Sequence, residues 1–292
     1  MRKAALAVLS LFLTVVSAAG QQRSGARVVE RGSRLRPDAA IKVFLPVGSI
    51  RVVGWDRDSL AVRATVAAGS DFFFGGGEQG AKFGVEDRPG GPPAGPTELL
   101  ISVPKRSHVS IRSVSATIDG RDVSGWFYSV SGRISLGGTA SILEVESLTG
   151  PVELESRATW VRARTGRARL TVGGAVQDLS ASSVSGPITI TTTALERARF
   201  GSVSGDIRYA GQAIGNAVLD IDNHSGTIEL ALSPRESMTL DLVSVRGAIA
   251  NEIGATRASA VGDGSSLNLR LGSGEARLSA RSFRGRIWIH PR

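Results

Sequence analysis

From Ala116 to Gly285 the chain restates one short phrase: a small polar residue, Val, Ser, Gly, any residue, Ile or Val, any residue, Leu. It reads Ser129-Val-Ser-Gly-Arg-Ile-Ser-Leu136, Ser147-Leu-Thr-Gly-Pro-Val-Glu-Leu154, Ser183-Val-Ser-Gly-Pro-Ile-Thr-Ile190 and Ser202-Val-Ser-Gly-Asp-Ile-Arg-Tyr209, with looser copies after Asn223, Ser244 and Ser282. Taking the glycine as the slot, Ala116, Gly132, Gly150, Gly166, Gly186, Gly205, Gly226 and Gly247 follow at gaps of 16, 18, 16, 20, 19, 21 and 21 residues. A period of this size marks a stack of similar units.

Apolar residues alternate with polar ones on both sides of the slot, as in Leu143/Val145 before Gly150 and Val152/Leu154 after it. Period two flanking a glycine predicts two short strands, each with one buried face, joined at a corner. Positive φ is the expected reason for glycine at Gly132, Gly150, Gly186, Gly205, Gly226 and Gly247. Three residues earlier stand Ser129, Ser147, Ser183, Ser202, Asn223 and Ser244, whose parity points them inward. A buried hydroxyl needs a partner, so these residues read as an internal ladder bonded to the coil above or below.

Two all-β architectures use such a pattern. Hairpins turning at Ser-Gly build an antiparallel β-sandwich. Coils that advance one strand spacing per turn build a parallel β-solenoid, which the recurrence of like residues in like slots favours. About ten coils, each rising about 4.8 Å, would make the rod. At its end Phe283, Ile287, Trp288 and Ile289 read as a heavier coil covering the core.

The segment 1–19 reads as a signal peptide: Met1-Arg2-Lys3, an apolar run from Ala4 to Val16, then Ser17-Ala18-Ala19. The expected location is therefore exported: periplasmic, outer-surface or secreted. No later run approaches about 20 apolar residues, so no transmembrane segment is expected once the signal is removed. Residues 20–37 read as an exposed N-terminal linker and 38–292 as one solenoid domain. Residues 69–96, rich in Gly and Pro, read as a long loop inserted in that domain. Its Phe72, Phe73, Phe74 and Phe83 are the candidate partner contacts.

The chain has no Cys, which excludes disulfides and lipid attachment at a cysteine. Losing Arg2 and Lys3 from its 35 basic residues leaves 33 against 26 acidic ones. These cations are scattered along the strands instead of gathered with aromatics, which argues against nucleic acid and leaves an envelope glycan or protein as partner. Outward slots bring Asp220, Asp222 and Asp241 to one face, with Asp220 and Asp241 expected on neighbouring coils. Such a face would suit a carbohydrate-active enzyme or a cation. Against this, Arg162 and Arg199 share the face, so ion pairing explains the charges. No motif calls for a cofactor or a resident metal, and no residue is assigned a catalytic role.

The opening Gly48-Ser-Ile-Arg-Val-Val-Gly-Trp-Asp56, the segment Ile101-Ser-Val-Pro104 and the repeated Ser-Val-Ser-Gly-x-Ile resemble a bacterial putative-adhesin family of unknown function. They are also similar to adhesin-head domains of autotransporter-like proteins. The resemblance spans about 38–292 and implies a β-helix-like solenoid serving as an exported, non-catalytic binding module. An envelope-stress or assembly accessory is the alternative from the same setting. The chain departs from the family pattern in the 69–96 insertion and at Arg162, Arg164, Arg167 and Arg169.

Overall fold

The structure, a computed structural model, describes residues 25–91 and 93–292. The expected signal peptide and the start of the linker lie outside the described residues. Within them the protein is all-β, and no helix occurs. The centre holds three long strands, Ile134–Ser147, Val152–Thr165 and Leu170–Ser183, whose side chains largely alternate between buried and solvent-facing. They pair in parallel, with Ile134 beside Val152 and Val152 beside Leu170. Two of them carry a glycine in positive φ along their length, Gly138 and Gly174.

Outward from the centre, parallel pairing continues through smaller strands. Leu170–Ser183 pairs with Ile188–Ile190 and Leu195–Ser202, and these pair with Ile207–Tyr209 and Ala213–Asn223. Like slots lie side by side: Ser183 by Ser202, Ser202 by Asn223, Ile188 by Ile207. One aliphatic core runs through these rungs, with Phe83, Phe127, Phe200 and Tyr209 as its largest enclosed side chains.

The corner glycines have a different cause from the expected one. None of Gly132, Gly150, Gly186, Gly205, Gly226 and Gly247 has positive φ. Instead the backbones of successive corners touch. A Cβ on Gly186 would sit 1.9 Å from the Ala168 carbonyl oxygen, and one on Gly132 would sit 2.0 Å from that of Ala116. Glycine is thus selected by close approach between rungs. The same contacts correct one slot: Leu170 lies between Val152 and Ile188, and Thr165 between Ser147 and Ser183. Ala168, not Gly166, is therefore the corner residue of that rung.

The inward hydroxyls do not bond to one another in a ladder. Ser129, Ser147 and Ser202 accept the backbone N–H of Gly132, Gly150 and Gly205 at 2.8, 3.0 and 2.8 Å. Asn223 does the same for Gly226 through Oδ1 at 3.0 Å. Bonds to the adjoining rung go to backbone, as when Ser244 donates to the Gly285 carbonyl at 2.8 Å and Ser183 to that of Gly166 at 3.3 Å. A hydroxyl clamped on its own corner satisfies a backbone donor that the turn would otherwise bury unpaired.

Both ends depart from sequence order. The rung Ala40–Leu45/Gly48–Trp55 lies between His108–Ser113/Thr117–Arg121 on one side and Gly80–Asp87/Thr97–Pro104 on the other. At the far end Ala276–Ser282/Ile287–Pro291 lies between the rung of Gly226 and the rung of Gly247. Trp288 and its neighbours therefore do not cap the stack; they are inside it. Antiparallel strands finish the ends instead: Ser59–Val66 and Arg27–Arg34 at the first, Gly264–Leu271 and Ser259–Val261 at the second. Part of the expected linker is thus a strand, though most of its side chains stay exposed. Most of the segment 69–96 is not a loop either, since Ser70–Gly77 and Gly80–Asp87 form an antiparallel hairpin that extends the sheet.

Candidate functional site

The four phenylalanines do not form a protruding tip. Phe83 is fully buried and stacks on Phe74 at 5.7 Å between centroids, so it is unavailable to a partner. Phe72 and Phe74 are partly buried and pack against the core. Phe73 alone belongs to the outer face, with the Lys82 ammonium 5.8 Å from its ring centroid. The tip of the hairpin carries Glu78 and Gln79.

The acidic face is also divided. Ser279 stands between Asp220 and Asp241, because the rung of Gly285 is inserted there. Asp220 has Arg199 on its other side, and Asp222 lies between Gly201 and Arg281. Asp241 is thus set apart from Asp220 and Asp222, which share one strand and have Arg199 and Arg281 as neighbours, and the result is a solvated mixed-charge surface. Among the described residues no group of three or more His, Cys, Asp or Glu is placed to hold a metal ion.

A different constellation occupies the outer face of the first rungs. Four neighbouring strands, Gly80–Asp87, Ala40–Leu45, His108–Ser113 and Ser124–Ser129, present two rows across the sheet. One row runs Lys82, Lys42, Ser110, Trp126, and the other Gly84, Phe44, Arg112, Tyr128. Phe73 continues the second row beyond Gly84. Trp126 and Tyr128 stack at 5.7 Å with planes 15° apart, and Arg112 lies 5.4 Å from the Trp126 centroid.

A groove of about 410 Å³ lies over Lys42, Val43, Phe44, Lys82, Ser110, Arg112 and Trp126. Its aromatic rings are half-buried and its three cations exposed. Among the described residues none of Lys42, Lys82 and Arg112 is in an ion pair. Lys42 and Lys82 lie directly side by side, and like charges so placed repel by roughly 0.2–1 kcal/mol. Glu144 and Glu146 bound the rows next to Trp126 and Tyr128. The signal for this site is present in the sequence, because Lys42/Phe44, Ser110/Arg112 and Trp126/Tyr128 fill the same two outward slots of three rungs. Only pairing discloses that Lys82 joins them. The arrangement can hold an extended ligand by ring stacking and charge, and it offers no paired acid and base.

No protein-family profile and no curated protein sequence matches the chain. Among solved structures it is similar to a putative adhesin from Bacteroides fragilis, at 13% identity over 90% of this chain and 97% of that one, with a TM-score of 0.44. It is also similar to a putative lipid binding protein from Parabacteroides distasonis, at 10% identity, coverage of 92% and 98%, and TM-score 0.47. A putative cell adhesion protein from Clostridium sporogenes matches at 10% identity, coverage of 91% and 100%, and TM-score 0.23. At these identities and scores the likeness assigns neither ligand nor activity to this chain.

Proposed function

We propose that the chain is an exported, non-catalytic binding module of the cell envelope, adhesin-like in role, built as a parallel β-solenoid. The observation that carries the binding reading is the unneutralised aromatic and cationic groove of Phe44, Trp126, Lys42, Lys82 and Arg112, with Tyr128 stacked beside it. Half-exposed rings and like charges placed together are unfavourable for the free protein and are relieved by a ligand. Support for the solenoid comes from the run of parallel pairings through the rungs of Ala116 to Gly226, whose register shifts between Leu195 and Arg197. Export rests on the charged, apolar and small-residue segments of residues 1–19.

Adsorption of the exported protein to isolated bacterial envelopes tests this reading. The wild type should adsorb saturably, and Trp126→Ala should lose most of that adsorption with its folding intact. Unchanged adsorption of Trp126→Ala would remove the groove from the function. Turnover of envelope glycans by the wild type would make the protein an enzyme.

A further inference from the structure

Resting on that binding reading, we infer that the groove takes a short stretch of an acidic polysaccharide, lying across the strands with its carboxylates or sulfates toward Lys42, Lys82 and Arg112. Three features of the surface select this chemistry. The rings of Phe44, Trp126 and Tyr128 are half-buried, with Trp126 and Tyr128 stacked on one another, which offers apolar surface for a sugar ring and no protruding wedge for insertion into lipid. In one row a cation alternates with the rings, Arg112 between Phe44 and Tyr128; in the other Lys82 and Lys42 lie together, with Ser110 between them and Trp126. Gly84 leaves a gap in the row beside Phe44, where a Cβ would strike the Phe44 carbonyl oxygen at 2.1 Å.

The length of the ligand follows from the boundaries. Four strands at about 4.8 Å give three spacings, room for about three sugar rings. Beyond Trp126 and Tyr128 the cationic rows are interrupted by Glu144 and Glu146, the first of them paired with Arg162 at 3.6 Å. A nucleic-acid site needs a longer basic track, since its affinity comes from neutralising many phosphates. Three cations, separated from the next arginines by Glu144 and Glu146, fit a chain end or a short acidic segment.

Polygalacturonate is the probe, with dextran as the neutral glycan and single-stranded DNA as the other polyanion. The wild type should bind polygalacturonate at least tenfold more tightly than dextran or DNA. Lys42→Gln with Lys82→Gln, and separately Trp126→Ala, should each weaken it at least tenfold. Lysine acetylation of the unaltered protein gives a readout that needs no variant. Polygalacturonate should protect Lys42 and Lys82 and leave Lys105, which is held by Asp56 at 2.7 Å, unprotected. Equal binding of dextran, equal or tighter binding of DNA, or acetylation of Lys42 and Lys82 unchanged by polygalacturonate would overturn the inference. If polygalacturonate fails while Trp126→Ala still abolishes envelope adsorption, the ligand class is wrong and the binding module stands.

Discussion

Arg112 lies over the indole of Trp126, its guanidinium carbon 5.4 Å from the ring centroid, although the two residues occupy different strands and different rows. At an exposed position such a contact contributes about 0.5–1 kcal/mol. Arg112→Ala should therefore lower stability by no more than about 1 kcal/mol, read from the urea midpoint at unchanged slope. A loss several times larger would make Arg112 a structural residue and not a ligand contact.

Close approach at the corners makes glycine substitutions unequal. A Cβ on Gly205 would lie 2.2 Å from the Gly186 carbonyl oxygen, whereas the nearest atom to one on Gly201 is 3.9 Å away. Gly205→Ala should cost at least about 1–3 kcal/mol through forced separation of two rungs. Gly201→Ala should be neutral or slightly stabilising, because the unfolded chain loses freedom. Thermal denaturation of the pair decides it, and equal costs would refute the contact explanation.

The clamp hydroxyls can be separated from their exposed neighbours. Ser129 is fully buried and accepts from Gly132, so Ser129→Ala leaves a buried N–H without its partner, at about 1–3 kcal/mol. Ser131→Ala, two residues on and exposed, should stay within about 0.5 kcal/mol. Denaturant midpoints of the two variants test the difference.

Tyr209 gives a pH signature. Its hydroxyl is buried without a partner, and burial, reinforced by the Glu236 carboxylate, pushes the phenol well above its ordinary value. The unfolded chain releases this proton near pH 10, about the unperturbed tyrosine value, and the folded protein keeps it. Stability associated with the neutral phenol is thus complete below that pH and falls as pH rises past it. Tyr209→Phe should flatten this alkaline decline and cost little at neutral pH, since no hydrogen bond is lost. Urea midpoints on either side of the tyrosine range would show it; an unchanged alkaline slope would count against the assignment.

Alternation around Gly150, Gly186 and Gly205 made the strands, their corners and the inward Ser129 and Ser147 legible, because burial on one face imposes period two wherever it occurs. The cause of glycine at those corners was not legible, since φ and close approach select the same residue. Rung order at the ends was hidden for a related reason. Ile228, Ile249 and Ile287 are equivalent in pattern, so nothing local states which pairs with which. That ambiguity misplaced Asp241 beside Asp220 and hid Lys82 beside Lys42. The hairpin of Ser70–Gly77 and Gly80–Asp87 was obscured by its glycines, which signal turns even where, as at Gly84, they admit a neighbouring backbone.

The late seating of Ile287–Pro291 between Ile228–Leu232 and Ile249–Asn251 has a consequence for how the chain matures. This strand follows both of its neighbours in the chain and must enter between them, so this end of the sheet cannot assemble in chain order. Closing so long a loop is slow. Until that strand arrives, the margins of Ile228–Leu232 and Ile249–Asn251 lack their partner and stay open to chaperones, proteases or a sister chain.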